Sequence, residues 1–481
     1  MRRGPTDQRV AFVQTIAEEG ELASIRSVNP ATGVVLAAFE EDDEETVERA
    51  LAAAADSVRA LAAAGFDQRA SWLRTAADLL DDESELVSML VTSEMGKPIA
   101  QSRAEVAKSS YCMRYYADNA AGFLSGRALD DPTAVNATEA RTRFDPLGVV
   151  LAVMPWNYPI WQVVRFAAPA LMAGNAGLLK HASNVPRSAK YLGDLFERAG
   201  FPPGAFSTLL VGSGRVAALI ADPRIAAVTL TGSEGAGRSV AAAAGDALKK
   251  VVLELGGSDP FIVMPSANLD DAVAAAVRAR TLNNGQACIN AKRFIVHTDV
   301  YDAFEREFVR RMSELRVGDP SDEQVQVGPL ATIGGLREIE ELVDDARNRG
   351  ASILTGGGRT GGDSGYYYLP TVVAGLTPDM RLWNEEAFGP VASLYRVDSF
   401  EEAIERANES EFGLGSAFWS REATEIERAE GEIAAGAVFI NGITTSYPEL
   451  PFGGIKRSGY GRELSAEGIR EFCNLKSVWV G

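Results

Sequence analysis

Three side chains stand out for the chemistry their types and neighbours allow. Cys288 lies in Asn283-Asn284-Gly285-Gln286-Ala287-Cys288-Ile289-Asn290, small and polar residues that read as a turn rather than an apolar core. Thiolate chemistry needs a lowered pKa and access to solvent, and such a turn offers backbone N–H groups and room. The other reading is a small buried hydrophobe, the usual state of a free cysteine. Cys112, in a helical pattern between Tyr111 and Met113, and Cys473, beside Phe472, suit that second reading. Glu254 ends an apolar strand just before Gly256 and Gly257. Burial there would raise its pKa and make it a base usable near neutrality, or it could cap the next turn. Asn157, in Met154-Pro155-Trp156-Asn157-Tyr158-Pro159, closes another strand where open α/β sheets bind ligands. Its amide suits a developing oxyanion; equally it suits a turn.

Two glycine-rich segments could take phosphate. Gly212-Ser213-Gly214-Arg215-Val216-Ala217 follows a strand, but no acid stands about 20 residues on, where a dinucleotide fingerprint wants one. Thr231-Gly232-Ser233-Glu234-Gly235 opens a helix and offers backbone N–H groups plus the Ser233 hydroxyl. Neither is a P-loop. With only two histidines, His181 and His297, a histidine-ligated metal or a histidine-based triad is not expected.

The elements that would position these groups are legible as periodicity. Amphipathic helices read at 41–64, 67–91 and 101–122, and residues 127–144 alternate like an exposed strand seeking a partner edge. From 147 onward short apolar runs alternate with helices: 147–153, 177–179, 208–211, 227–230 and 251–255 read as buried strands, with helices at 162–172, 186–199, 215–221 and 236–247. A second set begins at 260–264 and continues through 293–297 and 391–395 to 437–440. That rhythm predicts two doubly wound parallel α/β units joined near 250–265. Gly356–Gly365 reads as a flexible surface loop.

The 481 residues carry 66 acidic and 47 basic side chains, a net charge of −19, which disfavours nucleic acid and anionic membrane surfaces. Three cysteines in no paired or metal-like spacing fit a reducing compartment. Residues 1–24 read as a surface arm rather than a targeting peptide, and no run of 18 apolar residues occurs, so a cytoplasmic protein is expected.

Taken in order, Met154–Asn157, Thr231–Ser233, Leu253–Gly257, Gly285–Cys288, Glu385–Pro390 and Pro451–Gly459 resemble the aldehyde dehydrogenase superfamily from about residue 25 to the end. Glu254 stands 34 positions before Cys288, as in that family. The resemblance implies an aldehyde-dehydrogenase-like α/β fold with two doubly wound domains and a small β segment for oligomerisation. It implies a dinucleotide-binding domain at 25–125 and 144–253, a catalytic domain at 254–445, and an oligomerisation segment at 126–143 and 463–481. Cys288 would be the nucleophile, Asn157 and the Cys288 N–H the oxyanion site, and Glu254 the base that activates water. Trp156, Lys180, Ser183, Gly212, Gly232, Ser233, Glu386 and Phe388 would surround the nicotinamide cofactor.

In members that favour NAD a glutamate usually stands where Ser183 stands here, three residues after Lys180. A carboxylate about 4 Å from a phosphate would repel it by about 4 kcal/mol at an effective dielectric near 20. Serine removes that repulsion, so NADP is the expected cofactor, with NAD permitted. Within the superfamily the pattern looks most like bacterial succinate-semialdehyde dehydrogenases, with Arg165, nine residues after Trp156, implied as the residue that binds the substrate's distal carboxylate, assisted by a hydroxyl such as Ser446 or Tyr447. A second arginine that some relatives use is Leu282 here, which leaves glutarate semialdehyde or a general aliphatic aldehyde as alternatives. A homodimer or homotetramer is implied. The intact Cys288, Glu254 and Asn157 disfavour a non-catalytic relative, Glu254 disfavours an acyl-transferring enzyme of the same fold, and the missing acid downstream of Gly212 together with absent zinc ligands disfavours an ordinary Rossmann alcohol dehydrogenase.

Overall fold

Val149–Met154 carries Val, Leu and Ala on both faces, and all but one of its residues are buried; only a strand covered on two sides accommodates that pattern. In the computed structural model, which describes residues 25–360 and 364–481, this strand is the centre of a six-stranded sheet. Ala176–His181 and Phe206–Leu209 extend it one way, Ile225–Thr231 and Lys250–Glu254 the other, all parallel, and the two-residue strand Gly459–Tyr460 adds antiparallel to Lys250–Glu254 at the far edge. Leu151 is in register with both Leu178 and Val228. The direction of winding reverses at the central strand, so the crevice beyond its carboxyl end lies at a topological switch point. The Trp156–Asn157 turn begins there.

A seven-stranded sheet follows in the order Ser352–Thr355, Thr371–Ala374, Val391–Val397, Ala291–His297, Asp259–Val263, Ala417–Trp419, Phe439–Ile440. All of its pairs are parallel except the first, which is antiparallel. That pair flanks the glycine-rich loop, of which residues 361–363 lie outside the described part, as does the 1–24 arm. Contacts between Asn157 and Gln286, and between Glu386 and Gly257, bring the carboxyl edge of the first sheet against the amino edge of the second.

Two differences from the sequence reading have plain causes. Only Glu139–Pro146 of the 127–144 stretch is a regular strand; Pro132 and the left-handed Asn136 turn the chain before it. It pairs antiparallel with Cys473–Val480 along its whole length. Ser352–Thr355, Thr371–Ala374 and Ala417–Trp419 were not legible as strands because runs of three or four residues carry too little periodicity. No helix among the described residues is long and apolar enough to cross a membrane.

Helices Glu44–Asp82, broken at Gly65 (φ 68°), Ile99–Phe123 and Trp161–Ala173 pack beside the first sheet. The last begins directly after the Asn157 turn, and its start is fixed from outside. Glu105 accepts from the Ile160 and Trp161 N–H groups at 2.9 and 3.0 Å, while its other oxygen pairs with Lys97. Both side chains of the pair are fully buried, and the Lys97 ammonium lies 3.6 Å above the Tyr158 ring. Removing one partner strands a buried charge, which costs about 3–5 kcal/mol, whereas removing both together costs much less. Glu105→Leu should therefore lower the thermal midpoint more than the Lys97→Met/Glu105→Leu double variant does, and calorimetry on the three proteins checks it.

Candidate active site

Cys288 sits between the 3₁₀ turn Leu282–Gly285 and the strand Ala291–His297. Three successive residues, Asn283, Asn284 and Gly285, have left-handed backbones (φ 56°, 58° and 76°). Asparagine tolerates that region better than other side chains, and at Gly285 a Cβ would stand 2.3 Å from the Gly389 carbonyl. Side-chain amides then hold the turn. Asn284 donates to Gly96 O and Pro329 O, and Asn290 accepts from Ala287 N at 2.7 Å. Asn157 Nδ2 and Asn283 Nδ2 both donate to Gln286 O at 3.0 Å, and Asn283 also reaches Asn157 O at 2.8 Å. One carbonyl thus fastens the Asn157 turn to the cysteine turn. The Cys288 N–H finds no protein acceptor among the described residues.

The Asn157 turn is fixed on its other side by His181, buried at a strand end. Its Nδ1 accepts from Ala182 N at 2.9 Å, which places the proton on Nε2, donating to Pro159 O at 2.9 Å. Burial pushes the imidazole down to about 4, so it stays neutral.

Glu254 is 1% exposed, and neither carboxylate oxygen has a hydrogen-bond partner. It therefore does not cap a turn. Burial, reinforced by the nearby Glu463, holds its carboxyl well above the usual carboxylate range, against the pull of Arg165 and Arg462. Space for it depends on Gly453 (φ 157°), where a Cβ would approach Glu254 Oε1 to 2.8 Å.

The Cys288 thiol corrects the sequence reading. Its pKa is not lowered: burial pushes it up to about 12, although Lys292 and Arg165 pull the other way. The turn's neighbouring N–H groups are engaged in holding the loop, and the side chain is half-buried. Cys112 and Cys473 are buried free thiols, also raised, as their apolar surroundings suggested.

Most residues assigned to the cofactor lie along the carboxyl edge of the first sheet, and Glu386 and Phe388 come from the facing edge of the second, just before Val391–Val397. Lys180 is near the end of Ala176–His181, mostly buried, with no salt bridge among the described residues; burial lowers its pKa and Glu41 opposes that. Ser183, just beyond, is exposed. Gly212 follows the strand Phe206–Leu209, and Ser233 caps the helix Glu234–Asp246 after Gly232. Gly237 lets that helix approach its strand, since a Cβ there would meet Leu255 at 2.6 Å. Trp156 and Phe388 meet edge to face with centroids 5.7 Å apart. Glu386 Oε1 accepts from Lys292 at 2.9 Å and from Gly257 N at 3.1 Å, at the seam beside the cysteine turn. A lysine at a strand end with no salt bridge among the described residues, Glu41 acting on it only at longer range, an exposed serine and a capped helix N-terminus suit a dinucleotide bearing an additional phosphate.

On the other side of Cys288 opens a cavity of about 640 Å³ lined by Tyr158, Trp161, Arg165, Ser446 and Phe452. Arg165 reaches it, yet is only 1% exposed: it pairs with Glu463, donates to Thr231 Oγ1 at 3.3 Å and covers the Phe452 ring at 4.8 Å. Its ion pair with Glu463 is interior. Ser446 is buried and accepts from Lys108 Nζ at 2.9 Å. Leu282 is part of the same wall. Sequence reasoning missed Lys108, Lys292, Glu105 and Glu463, which no local pattern marks; the Asn-Asn-Gly run was the one available signal, of left-handed backbone.

The aldehyde dehydrogenase family model matches residues 16–478, and the chain belongs to that family. It is 58% identical over 458 residues to "Succinate-semialdehyde dehydrogenase [NADP(+)] 1" of Mycobacterium ulcerans (strain Agy99), covering 95% of this chain and 100% of that one. It is 55% identical over 457 residues to an "Aldehyde dehydrogenase" of Paenarthrobacter nicotinovorans, covering 95% and 100%. Among solved structures, succinic semialdehyde dehydrogenase from Streptococcus pyogenes in complex with NADP+ superposes with a TM-score of 0.92 at 36% identity, covering 95% of this chain and 100% of that one.

A thiol raised by burial reacts slowly until it is ionised. Iodoacetamide labelling of Cys288 in the cofactor-free protein should be slower than labelling of free cysteine at pH 7.5. The rate should climb with pH without levelling off below pH 10, because the thiolate fraction is still growing there; peptide mass mapping across pH measures both.

Proposed function

We propose that this enzyme oxidises succinate semialdehyde to succinate with NADP as hydride acceptor, Cys288 being the nucleophile. The observation that carries the reading is a half-buried thiol on the cavity wall, with an amide donor held to its own turn and a buried, unbonded carboxylate electrostatically coupled to it. The substrate and cofactor are supported by relatives of those names and by Ser183 after Lys180. The cavity accommodates a small aldehyde, and glutarate semialdehyde is the nearest alternative.

Cys288 Sγ gives its proton to solvent in the cavity and bonds to the aldehyde carbon, whose C=O π pair passes to the oxygen. The charge that develops on the aldehyde oxygen is met by the second Asn157 N–H, since the first is committed to Gln286 O, and by the Cys288 N–H. Lys180, Ser183, Trp156, Gly212, Gly232 and Ser233 would hold the adenosine and pyrophosphate of NADP, Glu386 a ribose, and Phe388 would pack near the nicotinamide. When bound, the nicotinamide supplies the hydride acceptor that lets the thiohemiacetal become a thioester. Glu254 then takes a proton from water, which attacks the thioester carbon and frees the carboxylic acid and the thiol. A carboxylate whose pKa is raised binds that proton more tightly, so burial strengthens it as a base; turnover rises with pH as it ionises. Arg165 and Ser446 form the wall that faces the substrate's carboxylate.

Residues 25–125 with 144–253 are assigned to the cofactor, 254–445 to the catalytic turn, and 126–143 with 463–481 to subunit pairing. The ribbon of Cys473–Val480 exposes Leu475, Trp479 and Val480 (59, 57 and 40%), an apolar edge suited to a second copy in a homodimer or homotetramer. Free thiols and bacterial relatives support a cytoplasmic setting.

Glu254→Gln should release one equivalent of NADPH per site in a stopped-flow burst and then turn over at least about a hundredfold more slowly than wild type. Steady-state assays with both cofactors should give a higher kcat/KM for succinate semialdehyde with NADP than with NAD. No burst, or a preference for NAD, contradicts the reading.

A further inference from the structure

The charges around the cavity are mostly matched already. Arg165 is paired with Glu463, Glu105 with Lys97, and Glu323 with Arg103. Lys108 and Arg278, both on the cavity wall, have no carboxylate partner among the described residues. Arg278 is exposed at the rim, where water screens it. Lys108 is deeper. Its ammonium stands 4.1 Å above the Trp161 indole and donates to Ser446 Oγ at 2.9 Å, which leaves donor capacity on a three-hydrogen group. Leu282, on the same wall, supplies no charge.

We infer that Lys108, held by Trp161 and Ser446, is the residue that selects aldehydes with a carboxylate at the far end. The inference rests on the semialdehyde reading above and goes beyond it, because it moves the uncompensated charge from Arg165 to a different helix. An anionic tail that enters the cavity replaces water at the one deep cation of the cavity wall that has no ion pair among the described residues, and Ser446 turns its hydroxyl to donate to the same anion. A neutral aldehyde gains nothing from either group.

The ammonium's environment gives this a pH signature. Burial pushes Lys108 down to about 8. The groups that face it are Arg165 from the helix Trp161–Ala173, Lys97 from the segment before its own helix, and Glu105 and Cys112 on that helix. The first three are locked in ion pairs and the Cys112 thiol is raised, so Lys108 is the group that changes charge as pH passes about 8. Protonated below that value, it attracts the anion; neutral above it, it does not.

The test compares kcat/KM for succinate semialdehyde and for butanal, with NADP, in the wild type, Lys108→Met and Lys108→Arg. Lys108→Met should lower the ratio of the two values about tenfold or more, and Lys108→Arg should restore most of it. In the wild type the ratio should fall as pH rises through about 8, and in Lys108→Arg it should not. A ratio unchanged in Lys108→Met, or KM values for both aldehydes rising together, overturns the assignment of Lys108 while the wild-type preference stands. A wild type with no preference for succinate semialdehyde over butanal overturns the substrate reading, and Lys108 with it.

Discussion

The carbonyl of Gln286 receives two side-chain amides, Asn157 from the first sheet and Asn283 from the cysteine's own turn. Most of what the site does depends on that shared acceptor. It ties the carboxyl edge of one parallel sheet to the amino edge of another, so that Asn157 and Cys288 come from different sheets yet keep one geometry. The turn itself is costly to form, with two asparagines and a glycine in left-handed backbone, and it persists because Asn284, Asn290 and Gln286 each bond to groups outside it. His181 and Glu105 do the same for the Asn157 turn from behind.

Against this rigid frame, the interior electrostatics are arranged unevenly. Lys97 and Glu105, and Arg165 and Glu463, are buried pairs whose charges cancel. Glu254 and Cys288 are left without such partners, and burial keeps both protonated more strongly than in water. A buried carboxyl with no hydrogen bond is unfavourable for stability, and it remains tolerable because the group holds its proton. The same feature makes it a base once ionised. Stability and reactivity are thus set against each other at two atoms rather than throughout the core.

The parallel sheets were legible because buried strands such as Val149–Met154 and Asp259–Val263 are continuously apolar, which few other structures tolerate. Short strands were not, since too few residues mark them, and the alternation over 127–138 suggested a strand where Pro132 and the left-handed Asn136 make turns instead. Cys288, Glu254 and Asn157 were legible from their placement at strand ends and turns, and the family resemblance ordered them. The state of the thiol was misread: a turn of small polar residues suggests openness, but whether it lies at the surface or under a seam between sheets is a tertiary fact. Lys108, Lys292 and Glu463 were invisible for a related reason. Each acts across sequence distances of 94 residues or more, as in Lys292 to Glu386 or Lys108 to Ser446, and no local pattern encodes the partner.

The account turns on a covalent bond between substrate and one sulfur. The most direct measurement is mass spectrometry of the acid-quenched enzyme after a single turnover of succinate semialdehyde with NADP, in a variant whose hydrolysis is blocked at Glu254. One succinyl group per chain is expected, carried on the peptide that contains Cys288. Turnover of cofactor with no acyl group on that peptide, or with the group on Cys112 or Cys473, would contradict it.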